Sequence, residues 1–503
     1  MSHPSTIGAS LEAVRSQFPS LDREAIFFDN PGGTQIAKQS LERITDYLLK
    51  CNANHEGAFA TSRQSDAILE DAHEAMADFL NAGSAQEIVF GNNMTTLTLH
   101  LSRSLARLLR AGDEILVTRL DHDANISPWL LAAEDRGCKV TWIDFDVEDG
   151  TLKLDEFEQA LSRKPRLAAF GYASNALGTI NPVKKITEMA RAAGTLTYVD
   201  AVQYAPHGPI DVQALGVDFL ACSSYKFFGP HAGILYGKRE LLEELKAYKV
   251  RPATDLIPGK WETGTQNHEG IAGVLGALEY LAWVGQAYGQ DFLAGYAPHF
   301  SGRRLHLKQG MATIQAYEFE VSRAVLSALE DVPGLRLYGL SDPQRVAERV
   351  PTFSFTIEGT SAEELARDLG TSREHLSRVF RAERGLPLAA HLRHQKLAQA
   401  CRLKAVETTF ESTGFARGPF LFDPAGKLDV SSVYVCVDDD SRAISVALAL
   451  HRLVKGQGVP VVVRMVHGAG LASLLGEEQQ GGDAQRARAG QLELLRGEVV
   501  DAD

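Results

Sequence analysis

Short β-branched apolar runs alternate with amphipathic stretches from about residue 20 to residue 360. The runs predict strands over Glu87–Phe90, Glu114–Val117, Val140–Asp144, Leu167–Tyr172, Leu196–Asp200, Phe219–Ser223 and Gly233–Tyr236. Between them, apolar residues recur at helical spacing, as in Ala67–Asn81, Leu97–Leu109 and Val183–Ala193. This alternation predicts an α/β domain built on a mostly parallel sheet. Helical patterns then run from Gly270 to Leu329, and Gly334–Leu337 and Thr352–Ile357 read as strands of a smaller α+β domain.

The texture changes near Gly370. Ser361–Gly370 reads as a short helix with a capping box from Ser361 to Glu364, and a second helix is predicted over Arg373–Arg384. Thr371–Lys404 holds eight Lys/Arg against two Asp/Glu, a basic segment in an acidic chain. Apolar runs at Val433–Val437 and Val459–Met465 predict two further strands, separated by a helical run Ala443–Val454. Beyond Gly476 the chain is rich in Gln, Gly, Glu and Arg and reads as a frayed tail.

Composition narrows the class. At 503 residues the chain is long enough for about three folding units. Its 45% hydrophobic and 23% charged content excludes a wholly disordered chain or a collagen. The net charge of −13 weighs against non-specific nucleic-acid binding by the whole chain. Five scattered cysteines with no CxxC pair argue against a zinc site and a disulfide framework and for a reducing compartment. The first residues lack a basic segment followed by an apolar core, and no apolar run reaches membrane-spanning length. A cytoplasmic protein without a membrane or metal partner is expected.

Candidate chemistry gathers at the predicted strand ends. SSYKFFGPHAG (Ser223–Gly233) sets Lys226 just after a buried strand, either as a surface lysine at a strand end or where desolvation lowers an amine pKa and favours nucleophilic use. LTYVDAVQ (Leu196–Gln203) sets Asp200 at the end of another strand, 26 residues earlier. That spacing is about one strand–helix–strand crossover, so both reach the edge where α/β proteins bind ligands. An acid there either caps a helix or pairs with a protonated ring nitrogen. GNNMTT (Gly91–Thr96) puts Asn93 and Met94 at a helix start, an ordinary N-cap or a phosphate cup. His122 in LDHDAN follows a strand and is either structural or placed to stack on a planar ring. SNALGTINP (Ser174–Pro182) follows another.

Together with FFDNPGGTQ at Phe27 and WETGTQNHEG at Trp261, these motifs resemble the class V aminotransferase family, and most closely its cysteine-desulfurase-like members, from about Phe27 through Gly370. The resemblance implies a type I pyridoxal-phosphate (PLP) transferase fold, α/β with a smaller α+β domain, here followed by an atypical C-terminal α/β extension. It implies Lys226 as the Schiff-base lysine, Asp200 as partner of the pyridine nitrogen and His122 stacked on the ring. Asn175 and Gln203 would contact the ring hydroxyl. Ser223, Tyr225, Asn93 and Met94 would hold the phosphate, and His55 matches an active-site loop position. Gly264 and Thr265 would reach the phosphate of a second subunit, so a homodimer acting on an amino acid is implied.

The likeness fails toward the C-terminus. Desulfurases of this kind carry a nucleophilic cysteine and a carboxylate-binding arginine in the small domain, and this chain has no cysteine between Cys222 and Cys401. Ser361–Lys404 instead resembles one helix-turn-helix of an AraC-type regulator, which normally uses two, and Ser431–Leu475 is similar to part of a potassium-transport nucleotide-binding domain lacking its glycine fingerprint. The expected organisation is an N-terminal segment of the small domain (1–28), a PLP-binding domain (29–270), a truncated small domain (271–370), a helix-turn-helix-like segment (371–410), a partial Rossmann-like segment (411–475) and the tail (476–503). The leading expectation is a PLP enzyme with desulfurase, lyase or transaminase chemistry and impaired desulfuration. The alternatives are a ligand-sensing regulator binding DNA through the single helix-turn-helix, which the acidic charge disfavours, and an inactive chimeric product.

Overall fold

The computed structural model describes residues 11–22 and 30–362, together with the backbone of three short strands further on. The chain divides into two compact units, Met1–Val379 and Phe380–Asp503. The first unit holds a seven-stranded sheet made of β1 (Ile88–Gly91), β2 (Glu114–Thr118), β3 (Lys139–Ile143), β4 (Leu167–Gly171), β5 (Leu196–Asp200), β6 (Phe219–Ser223) and β7 (Gly233–Gly237). Its order is β1-β7-β6-β5-β4-β2-β3. Strands β3, β2, β4, β5 and β6 are parallel, while β7 runs antiparallel to both β6 and β1.

The sheet is buried on both faces, and successive residues feed opposite layers. Leu116, Ala168, Val199 and Leu220 join one core with the helices Ala60–Leu80, Val183–Ala193 and His268–Tyr288. Ile115, Leu167, Tyr198 and Phe219 join the other core with the helices Met94–Ala106 and Ser127–Arg136. These strands therefore read as unbroken apolar runs, and each predicted strand is present to within about two residues.

Helix ends differ more. The helix expected over Ala67–Asn81 begins at Ala60, because Thr61, Ser62 and Ser65 extend it with polar residues that carry no apolar rhythm. The helix expected from Leu97 begins at Met94, capped by the Asn93 side chain accepting from the Thr96 N–H at 2.9 Å. The boundary expected at 270/271 falls inside the helix His268–Tyr288, most of whose side chains are buried in the large core.

The helix Gly302–Glu330 follows, with a hairpin of β8 (Leu335–Tyr338) and β9 (Ser354–Ile357). The helix-turn-helix-like segment lies outside the described residues, as do Phe27–Asp29. In the second unit β10 (Val433–Val435), β11 (Val461–Arg464) and β12 (Leu492–Leu495) form a parallel sheet in that order. The strands expected at Val433 and Val459 are β10 and β11. The tail expected to be frayed supplies β12, a run of three leucines and one glutamate apolar enough to pair with Val461–Arg464. Among the described residues no helix is long and apolar enough to cross a membrane, and no His/Cys/Asp/Glu cluster is arranged to hold a metal ion.

Candidate active site

The parallel strands end on one edge, and Asp200 and Lys226 both lie there. Asp200 closes β5 and is 8% exposed. Lys226 lies in the short turn Ser224–Lys226 after β6 and is 7% exposed. Because β5 and β6 pair in parallel, with Asp200 opposite Ala221, both residues leave the sheet at the same end. Burial pushes the Asp200 carboxyl above its ordinary range, opposed by a hydrogen bond from the Val202 N–H at 2.8 Å and by the charge of Lys226.

The Lys226 turn is held by the segment Asn30–Thr34. The Thr34 N–H and hydroxyl both donate to the Tyr225 carbonyl, at 2.9 and 3.0 Å, and the Thr34 hydroxyl accepts from the Phe228 N–H at 2.9 Å. The Lys226 amine donates to the Pro31 carbonyl. The Tyr225 ring stacks on His231, centroids 5.0 Å apart and 16° from parallel, and the Lys226 amine lies 5.1 Å from the same ring centroid.

Asn93 and Met94 begin a helix whose first N–H meets the site. The Met94 N–H donates to the Ser223 hydroxyl at 3.2 Å. Gly233 makes that approach feasible, since a Cβ there would lie 2.3 Å from the Asn93 carbonyl carbon. Helix N-terminal N–H groups beside a hydroxyl favour an anion.

His122 sits in the turn after β2 and is exposed toward the edge. Its Nδ1 accepts from the Ala124 N–H at 3.0 Å, which leaves the ring proton on Nε2. Its neighbour Asp121 accepts from the Gly171 N–H at 2.6 Å and from the Asn125 amide at 3.1 Å. Burial, and then the nearby Asp200, push the Asp121 carboxyl well above its ordinary range.

Gln203 is buried. Its amide N–H donates to the Thr352 hydroxyl at 3.0 Å, and its Oε1 has no hydrogen-bond partner among the described residues. Asn175 is half-buried on the loop after β4, and the Ser354 hydroxyl donates to the Ala176 carbonyl beside it. Gly264 and Thr265 are exposed, with open space around Gly264. The His55 ring lies 5.8 Å from that of the buried His268.

Asp121, Thr34, Pro31 and Thr352 were not singled out from the sequence. Pro31 and Thr34 belong to the FFDNPGGTQ motif and carried that signal. Asp121 stands beside His122 in LDHDAN and reads as a solvated strand end. Thr352 read as the first residue of a strand and instead precedes β9, facing Gln203.

Comparison with known proteins gives the same assignment from several directions. The family Aminotransferase class-V matches residues 26–290. The chain is 35% identical to the Aminotransferase-like protein FGM3 of Gibberella zeae over 70% of this chain and 83% of that protein. It is 32% identical to a probable cysteine desulfurase of Streptomyces coelicolor over 69% and 82% of the two chains. Among solved structures, the apo cysteine desulfurase of Thermococcus onnurineus NA1 matches with a TM-score of 0.63 at 25% identity, covering 77% of this chain and 92% of that one. The cysteine desulfurase CsdA of Escherichia coli matches with a TM-score of 0.60 at 26% identity, covering 76% and 92%. A mostly parallel seven-stranded sheet with a buried lysine beyond β6, met by these likenesses, leads to one conclusion: the chain belongs to the class V aminotransferase family and is a cysteine-desulfurase-like enzyme dependent on pyridoxal phosphate.

Proposed function

We propose that the enzyme acts on an amino acid, with Lys226 as the residue that bonds to the cofactor, is freed when the substrate amine takes its place, and then moves a proton at the substrate α-carbon. The observation that carries this reading is the burial of Lys226 and Asp200 at one sheet edge, an amine and a carboxyl both withdrawn from water. Four features fit the cofactor. A buried carboxyl calls for a cation, and a protonated pyridine nitrogen is one. The buried Oε1 of Gln203, unpaired among the described residues, calls for a hydroxyl. The Met94 helix start and Ser223 suit a phosphate. The exposed His122 ring offers a flat face.

Pyridoxal phosphate, when bound, supplies the electron sink that makes α-carbon chemistry accessible. The protein's own groups do the rest. Asp200 holds the proton on the ring nitrogen. His122 orients the ring, its tautomer set by the Ala124 N–H. Asn175 and Gln203 contact the ring hydroxyl, and Ser223, Tyr225, Asn93 and Met94 bind the phosphate. Thr34 and Pro31 keep the Lys226 turn in place. The exposed Gly264–Thr265 loop, with Leu256 and Val250 also exposed nearby in sequence, supports a homodimer in which this loop completes the neighbouring subunit's phosphate site. Transamination or lyase chemistry is favoured over sulfur transfer, because no cysteine occurs between Cys222 and Cys401.

The test is reduction of the cofactor-loaded protein with borohydride, followed by peptide mapping. The label is expected on Lys226 and absent from Lys226→Ala, which keeps its fold. Recovery of the adduct on a different lysine overturns the assignment.

A further inference from the structure

Gln203 is held at one end only. Its N–H meets the Thr352 hydroxyl at 3.0 Å, and its buried Oε1 meets nothing among the described residues. Thr352 is fixed independently of Gln203. Its N–H donates to the Val350 carbonyl at 2.7 Å, and its carbonyl accepts from the Arg349 guanidinium at 2.5 Å. Arg349 also donates to the Leu340 carbonyl and lies 4.3 Å from the Phe353 ring centroid. It is 2% exposed, and among the described residues no carboxylate stands within ion-pair distance of it. Burial draws its pKa down to about 10. The hydroxyl of Thr352 thus comes from a segment next to β9, clamped by a buried guanidinium, and meets Gln203, three residues beyond Asp200 in the chain.

A hydroxyl donates as well as accepts. It takes an N–H from the Gln203 amide and leaves the amide oxygen toward the site. It equally donates to that oxygen once the amide turns over, leaving the N–H toward the site. The first arrangement suits a protonated oxygen on the ligand, the second an ionised one. We propose that Thr352 is a positioning residue for the pyridoxal-phosphate ring: its hydroxyl lets the Gln203 amide turn to match the ionisation state of the ring oxygen. This rests on the reading of Gln203 as the contact to that oxygen.

The experiment is a pH titration of the absorbance of cofactor-loaded protein, comparing wild type with Thr352→Val, Thr352→Ala, Thr352→Ser, Gln203→Leu and the double variant Thr352→Val/Gln203→Leu. Without the hydroxyl one end of the amide stays unpaired; a buried N–H tolerates that less well than an oxygen does, so the amide keeps its N–H on the ring oxygen and favours the ionised form. The midpoint is then expected to move to lower pH by about one unit in Val and Ala, the scale of one hydrogen bond to a charged group. Ser keeps the wild-type midpoint. In the Gln203→Leu background, Thr352→Val adds no further shift. An unchanged midpoint in both Val and Ala overturns the proposal, and so does a shift that persists without Gln203. Failure of both to fold while Gln203→Leu folds assigns the hydroxyl to the fold and overturns it too. A wild type that takes up no cofactor overturns the reading of the site itself, a different result from any of these.

Discussion

The Asp121 carboxylate accepts the Gly171 N–H at 2.6 Å, and this contact ties the turn carrying His122 to the strand beside Asp200. Gly171 ends β4 and pairs with Asp200 of β5. Asp121 is held from the other side by Asn125, whose amide oxygen accepts from the Trp129 indole N–H at 3.2 Å in the core. The exposed His122 therefore stands on an anchored turn.

Asp200→Asn should slow turnover by orders of magnitude while weakening cofactor binding less. The amide loses the charge that keeps the ring nitrogen protonated, and with it the electron sink. Steady-state kinetics and a cofactor-binding titration on the same variant check this. Turnover equal to wild type would mean that Asp200 does not pair with the ring nitrogen.

His73 should make stability depend on pH. Its two ring nitrogens face two acceptors, the Leu69 carbonyl at 2.7 Å and Glu262 Oε1 at 2.8 Å, so both carry protons. Burial opposes the charge, but Glu262, and more weakly the Leu69 carbonyl and Glu70, outweigh it and hold the pKa above the ordinary 6.5. The stabilisation is complete below the unfolded value and is lost as pH rises through the folded one. His73→Gln should therefore be less stable than wild type at about pH 6 and close to it at about pH 9. Urea denaturation at both values is the measurement, and a gap that does not change with pH would show a neutral His73.

Gly178→Ala should cost about 2–4 kcal/mol. Gly178 has φ +80, and a Cβ there would sit 2.7 Å from the Thr352 carbonyl oxygen and 2.9 Å from that of Val350. Both are backbone atoms in the clamped segment, so neither yields cheaply. Cofactor affinity should fall with stability, since the same loop carries Asn175. A loss below about 1 kcal/mol would show that the loop readjusts.

Sulfide release from cysteine should be weak or absent. Sulfur transfer needs a thiolate at the site. Cys222 is adjacent to Ser223 but fully buried, and burial followed by the charge of Asp200 pushes its thiol well above the ordinary range. Cys51 is buried as well. Sulfide should be assayed for wild type, Cys401→Ala and Cys436→Ala together. Robust release that either substitution abolishes would show that the C-terminal part supplies the acceptor.

The strands were legible because burial on both faces writes itself into composition. A run such as Phe219–Cys222 must be apolar at every position to serve two cores at once. The placement of Asp200 and Lys226 on one edge followed from one crossover of chain between them. The Asn93 cap was legible too, as a polar residue before a helical rhythm. Other features have no local trace. Asp121 finds Gly171 across 50 residues, and Gln203 finds Thr352 across 149. Each partner is an ordinary residue whose neighbours in sequence carry no rhythm that reports it. Periodicity records which face of its own element a residue buries. Which distant group it then meets is decided only when β2, β4, β5 and the segment before β9 close on the same edge.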